Sequence, residues 1–183
     1  MAGDNTEIVS PAPTPAQILF APSGMKLGVL GVTTFGAYVI YWFYRNWLAI
    51  RLIEQRPGIM PAWRVAFMPL WVFNCFRRLG LITGQSPMPA AVIAAVLAVL
   101  NLLLALIWFA GPPLSLLSVL ILVSLLPINA RLRRFKRTQG VMPSRRERFT
   151  LWNWLWAVPV GFLQLLNVAW ALIFFLLGSP SPR

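Results

Sequence analysis

Histidine is absent from the chain, and it carries only one cysteine, Cys75, and four carboxylates, Asp4, Glu7, Glu54 and Glu147. Without imidazole, the commonest axial ligand of haem and the usual ligand of zinc or copper are missing, as is the partner that activates a serine or cysteine nucleophile. One cysteine excludes an intrachain disulfide and any multi-cysteine metal or iron–sulfur site. No paired carboxylates, glycine-rich phosphate loop or nucleophile elbow occurs. These absences argue against an enzyme, and no cofactor or metal is expected.

Charge is scarce as well. Charged residues make up 11% of the 183 residues, against about 25% in an ordinary soluble domain. Hydrophobic residues make up 58%, and the mean hydropathy is +0.72. The apolar residues are gathered into runs: 79–130 and 149–182 contain no charged side chain. A soluble core helix would carry charge on one face every turn, whereas a membrane span needs about 20 predominantly apolar residues. The first run is long enough for two spans and the second for one. The composition therefore predicts an all-α integral membrane protein.

Residues 1–25 form a polar tail with Pro11, Pro13, Pro15 and Pro22, without the basic start and leading apolar core of a cleavable signal. It reads as a retained extramembrane tail, disordered unless a partner holds it. The rest, 26–183, reads as one polytopic membrane domain. Its spans are expected at about 27–44, 90–110, 114–130 and 152–177. Gly24, Gly28 and Gly36 share a row in the first that would let another helix approach closely. Pro87 and Pro89 mark the start of the second, where Ala94, Ala98, Asn101 and Ala105 share a face. Ser115, Ser118 and Ser124 lie in the third, and Trp152, Trp154 and Trp156 open the fourth, which Pro159 is expected to kink.

The segment 61–79 is different. Its charge-free part, 65–76, is twelve residues, about 18 Å of helix against a hydrocarbon core of about 30 Å. Arg64 and Arg77–Arg78 bound it and Pro69 interrupts it, so an interfacial or re-entrant segment is expected. The fold is thus four transmembrane helices plus one such segment. Orientation follows from the distribution of Lys and Arg, which collect on the cytoplasmic side. With both termini periplasmic, 14 basic residues lie inside and two, Lys26 and Arg183, outside; letting 61–79 span gives 11 against five.

The string Gly36-Ala37-Tyr38-Val39-Ile40-Tyr41-Trp42-Phe43-Tyr44-Arg45-Asn46-Trp47 resembles a signature, G-x-Y-x-x-Y-W-F-Y-x-N-W, that ends the first span of small uncharacterised proteobacterial membrane proteins. In those proteins an aromatic, proline-containing stretch with a Trp-Arg pair follows. Pro61, Trp63, Arg64, Phe67 and Pro69 are similar. The resemblance covers roughly residues 25–80. It implies a bacterial inner-membrane location and carries no established activity.

Three groups of side chains are candidates for function. The basic cytoplasmic loop, 131–150, holds Arg131, Arg133, Arg134, Lys136, Arg137, Arg145, Arg146 and Arg148 against one acid, Glu147. It suits anionic lipid headgroups, at about 1 kcal/mol per basic side chain, or an acidic patch on a partner subunit, and it also serves as a plain topology signal. Phe135 and Phe149 are too few for a nucleic-acid stacking platform. The cluster Tyr41, Trp42, Tyr44, Arg45 and Trp47 reads first as an interfacial aromatic belt, and second as a cation–π grip on a headgroup or ring. The intramembrane amides Asn101, Gln164 and Asn167 either bond neighbouring helices or line a polar path. All four carboxylates fall outside the expected spans, which disfavours a proton-coupled transporter.

The function expected from this inventory is a non-catalytic accessory or scaffolding subunit, associated with a larger inner-membrane complex and with anionic lipids through its basic face. The alternative is a small homo-oligomeric channel, transporter or lipid-handling protein.

Overall fold

Proline and glycine set many of the helix boundaries. The computed structural model describes residues 12–34, 36–107 and 120–177, and these form eight helices with no strand among them. They are α1 (Pro15–Ile18), α2 (Gly24–Thr33), α3 (Ala37–Ile53), α4 (Pro61–Ala66), α5 (Met68–Ile82), α6 (Pro87–Ile107), α7 (Ile121–Thr138) and α8 (Leu151–Leu177). Pro15, Pro61, Pro69 and Pro87 all occupy the first turn of a helix, where the missing N–H costs nothing. Pro69 therefore starts α5 rather than interrupting a helix. The break falls two residues earlier, at Phe67, whose ψ of 42° is not helical.

The first expected span, 27–44, is not one helix. Gly36 adopts a φ of 82°, a left-handed conformation that costs glycine little, and there the chain reverses. Asn129 on α7 shows the reversal directly. Its Nδ2 donates to the Pro22 carbonyl at 2.9 Å, while its Oδ1 accepts from the Trp42 indole at 3.2 Å. The chain thus departs at Pro22 and returns at Trp42 at the same level, so α2 and the start of α3 form a hairpin. With ten residues, α2 is about 15 Å long, half a hydrocarbon core. The glycine row is also displaced. Gly24 and Gly28 face open space, and the close approach is at Gly31, where a Cβ would come within 2.3 Å of Leu122 Cδ2.

The core lies where α3 meets α5 and α7. Trp42, Phe43 and Phe76 are fully buried, with the Phe43 and Phe76 rings stacked at 5.7 Å. Leu125, Ile128 and Leu132 close it from α7. Rings of this size contribute through dense packing, which persists whether the reference solvent is water or lipid tails.

Helix α5 doubles back on α6 through a tight turn containing Gly84 at φ 85°. The buried face of α6 is Ala90, Ala94, Leu97 and Asn101, spaced by three and four. The opposite face, from Met88 through Val92, Val96, Val99 and Leu103, is exposed and wholly apolar. Among the described residues, α6 is the one helix long and apolar enough to cross a membrane.

The other expected spans map as follows. Span 90–110 falls on α6, with 108–110 outside the described residues. Most of 114–130 falls on α7, with 114–119, including Ser115 and Ser118, outside them. Helix α7 continues without a break into the basic cluster, so residues 131–138 are helical rather than loop; the turn comes at Gln139–Gly140, with Gly140 at φ 67°. Span 152–177 coincides with α8, which contains Pro159 and packs on α2.

Candidate functional site

On α7 the buried positions run Leu125, Ile128, Asn129, Leu132, Lys136, one inward stripe at helical spacing. Lys136 therefore points into the protein, although Arg134 and Arg137 beside it point out. Its ammonium donates to Glu147 Oε1 at 2.6 Å and to the Leu19 carbonyl at 3.1 Å. Both partners are nearly inaccessible, Lys136 at 6% and Glu147 at 2% exposure. A buried pair is tolerable only when its remaining lone pairs are also satisfied. Glu147 Oε1 accepts a second bond from the Ala21 amide at 2.8 Å, and Oε2 accepts from the Ser144 amide at 2.9 Å. Such charge-assisted bonds are roughly twice as strong as neutral ones. Lys136 is thus unavailable to lipid or partner, which corrects its place in the expected contact set.

The same pair fastens the N-terminal segment. Leu19, Phe20 and Ala21 are buried, and the Ser23 amide donates to the Glu147 carbonyl at 3.1 Å. Lys26, in the first turn of α2, donates through Nζ to the carbonyls of Arg146 and Arg148, both at 3.0 Å. Burial pulls the pKa of its ammonium below the ordinary value. Residues 12–26 are therefore not a free tail; the chain itself supplies the partner. They also lie against the basic loop, so Lys26 and the carbonyls of Arg146 and Arg148 sit together rather than apart. Residues 1–11 and Arg183 lie outside the described residues.

What remains outside is almost purely cationic. Arg134, Arg137, Arg145, Arg146 and Arg148 are exposed, and Arg131 and Arg133 are half-buried. Because Glu147 is turned inward, residues 131–148 present no acid on their outer face.

The aromatic cluster separates into two sets. Tyr41 and Tyr44 are exposed, whereas Trp42 and Trp47 are buried at 0% and 1%, so these two belong to the core and not to an interfacial belt. Arg45 lies over the Phe20 ring at 5.7 Å. The arginine held between tryptophans is instead Arg64, 4.2 Å from the Trp47 ring and 4.6 Å from that of Trp71. Burial and the nearby Arg78 lower its pKa. This sandwich joins residues 17 and seven positions apart along the chain, and only the Trp-Arg pair at Trp63–Arg64 hinted at it; Trp63 itself faces outward.

Asn101 and Asn167 are not brought together. Asn101 is buried and donates to Ser124 Oγ at 3.0 Å, which joins α6 to α7, and Ser124 in turn donates to the Ile121 carbonyl. Asn167 is exposed on α8, and the Gln164 side chain lies outside the described residues.

No family model, no curated protein and no solved structure matches this chain.

Proposed function

We propose that the protein is a non-catalytic accessory or scaffolding subunit of the bacterial inner membrane, which engages anionic lipid and an acidic surface of a partner complex through the arginines of residues 131–148. The observation that carries this reading is the inward turn of Lys136 and Glu147. It removes the one acid from the surface and leaves five exposed arginines beside helices with apolar, exposed faces. At about 1 kcal/mol each near an anionic surface, these arginines would contribute roughly 5 kcal/mol before salt screening.

In the arrangement proposed here, α6 and the expected spans 114–130 and 152–177 cross the membrane, while the α2–α3 hairpin enters and leaves on one side. The latched N-terminal segment then shares the cytoplasmic side with the basic loop. Moving Lys26 to that side changes the distribution from 14 against two to 15 against one. A pore is the weaker reading, because Asn101 is already bonded to Ser124.

Native-detergent purification with mass spectrometry tests the proposal. A stoichiometric companion, lost when Arg134, Arg137, Arg145 and Arg146 are changed together to Gln, is the expected result. A protein that emerges alone and runs as a monomer at every salt concentration would refute it.

A further inference from the structure

A second cationic feature lies away from residues 131–148, where the end of α3 meets α5. Glu54, Arg56, Asn74, Arg77, Arg78 and Leu81 line an open cleft of about 390 Å³. Three guanidiniums there face one carboxylate. Glu54 is already engaged: Arg78 Nη1 donates to its Oε2, and Arg56 Nε lies 3.8 Å from the same oxygen. Arg56 and Arg77 are both exposed, and Arg77 makes no ion pair among the described residues. The cleft thus holds an excess of two positive charges. Its arginines come from different places: Arg78, held by Glu54, and Arg77 from the last turns of α5, and Arg56 from the turn after α3.

The planar guanidinium fork matches the oxygens of a phosphate, and several forks converging on one cavity suit a tetrahedral anion better than a flat carboxylate. The Asn74 amide adds a neutral donor and acceptor for ester or hydroxyl oxygens. On the rim, Leu81 is 38% exposed. Six residues beyond Ile82, the exposed apolar stripe of α6 begins at Met88. Polar anion contacts therefore lie close along the chain to an apolar stripe that suits an acyl chain.

We propose that this cleft binds the phosphate group of a phosphate ester, with Arg56 and Arg77 making the contacts and Glu54 holding Arg78 in place. The proposal does not depend on the accessory-subunit reading, since the cleft shares no residue with the 131–148 surface.

The test uses the full chain purified in dodecyl maltoside. Binding is measured by native mass spectrometry and calorimetry with dioctanoyl phosphatidic acid, glycerol 3-phosphate and dioctanoyl phosphatidylcholine as probes. Saturable phosphatidic acid binding is expected, weakened at least tenfold in R56Q/R77Q and less than twofold in R134Q/R137Q. Both substituted pairs are exposed, and unchanged thermal unfolding would show that the fold is kept. If glycerol 3-phosphate binds as tightly as the lipid, the ligand is a soluble phosphate ester; if only the lipid binds, it is a headgroup. An R56Q/R77Q variant that binds like the wild type overturns the proposal. Equal losses in the two double variants would also overturn it, since they would mean diffuse electrostatics, as would the absence of saturation by either phosphate.

Discussion

Separating the Lys136–Glu147 pair from the backbone groups around it gives the most informative perturbation. Removing one member, as in K136M or E147Q, leaves a buried charge without its partner, a change that costs about 3–5 kcal/mol. In E147Q the amide oxygen can still accept from Lys136 and Ala21, but the amide nitrogen then faces the Ser144 N–H, donor against donor. The decisive variant is the double substitution K136M/E147L. Buried ion pairs replaced by apolar residues are often neutral or even stabilising, because two desolvation penalties vanish together. Here the pair also satisfies the Ala21 and Ser144 amides and the Leu19 carbonyl. Each buried stranded group costs about 1–3 kcal/mol, and Ala21 and Leu19 are both buried, so the double variant is expected to remain at least about 2 kcal/mol below the wild type.

Two measurements check this. Unfolding in mixed micelles with rising dodecyl sulfate, followed by tryptophan fluorescence, reports global stability. Trypsin cleavage after Lys26 reports release of the N-terminal segment, because Lys26 is buried while the segment is latched. The double variant should be cleaved much faster than wild type. A double variant within about 1 kcal/mol of wild type, with cleavage unchanged, would refute the view that backbone satisfaction holds the segment down.

Three further outcomes follow from the same structure. In sealed vesicles, cysteines introduced at the exposed positions Ala12 and Thr138 in a C75A background should react with an impermeant maleimide from the same side; labelling from opposite sides would exclude the hairpin. Gly31→Ala drives a methyl group into Leu122 and should cost about 1–3 kcal/mol in micelle unfolding, and Leu122→Ala in the same chain should recover part of that loss. Cys75 is fully buried, so the folded protein should resist maleimide until dodecyl sulfate unfolds it; prompt labelling in mild detergent would contradict the packing of α5.

Much of the helical framework is readable in the sequence, because its signals are local. Pro87 marks where α6 begins, and the spacing of Ala94 and Asn101 gives its buried face. The uncharged run after Phe149 gives α8. The hairpin escapes the same reasoning, because average hydropathy over 27–44 has no term for reversal: one left-handed glycine redirects a run that is apolar throughout. Lys136 was partly readable, since Leu125, Asn129, Leu132 and Lys136 keep helical spacing, but a cluster of like charges draws the eye to count rather than to phase. Glu147 gives no local hint of its latch to the N-terminal segment, as Ala21 and Ser23 lie more than 120 residues away. The stretch Ile18-Leu19-Phe20-Ala21 was a visible apolar patch, outweighed by the prolines around it.

The distribution of charge cannot by itself choose between a four-span chain and the hairpin arrangement, because 14 against two and 15 against one both obey the positive-inside tendency. The internal contacts fit the hairpin arrangement. In a four-span chain, Lys26 and the carbonyls of Arg146 and Arg148 would be separated by the whole hydrocarbon core, about 30 Å, instead of 3.0 Å. The Ala21 and Ser23 amides would likewise lose Glu147, and Asn129 would lose Pro22. These bonds use the side chains of Lys26, Asn129 and Glu147, on three separate segments, and all require the same sidedness. The latch and the hairpin are therefore one feature. Reversal at Gly36 returns the chain to the basic side, and the buried Lys136–Glu147 pair keeps the segment before it there.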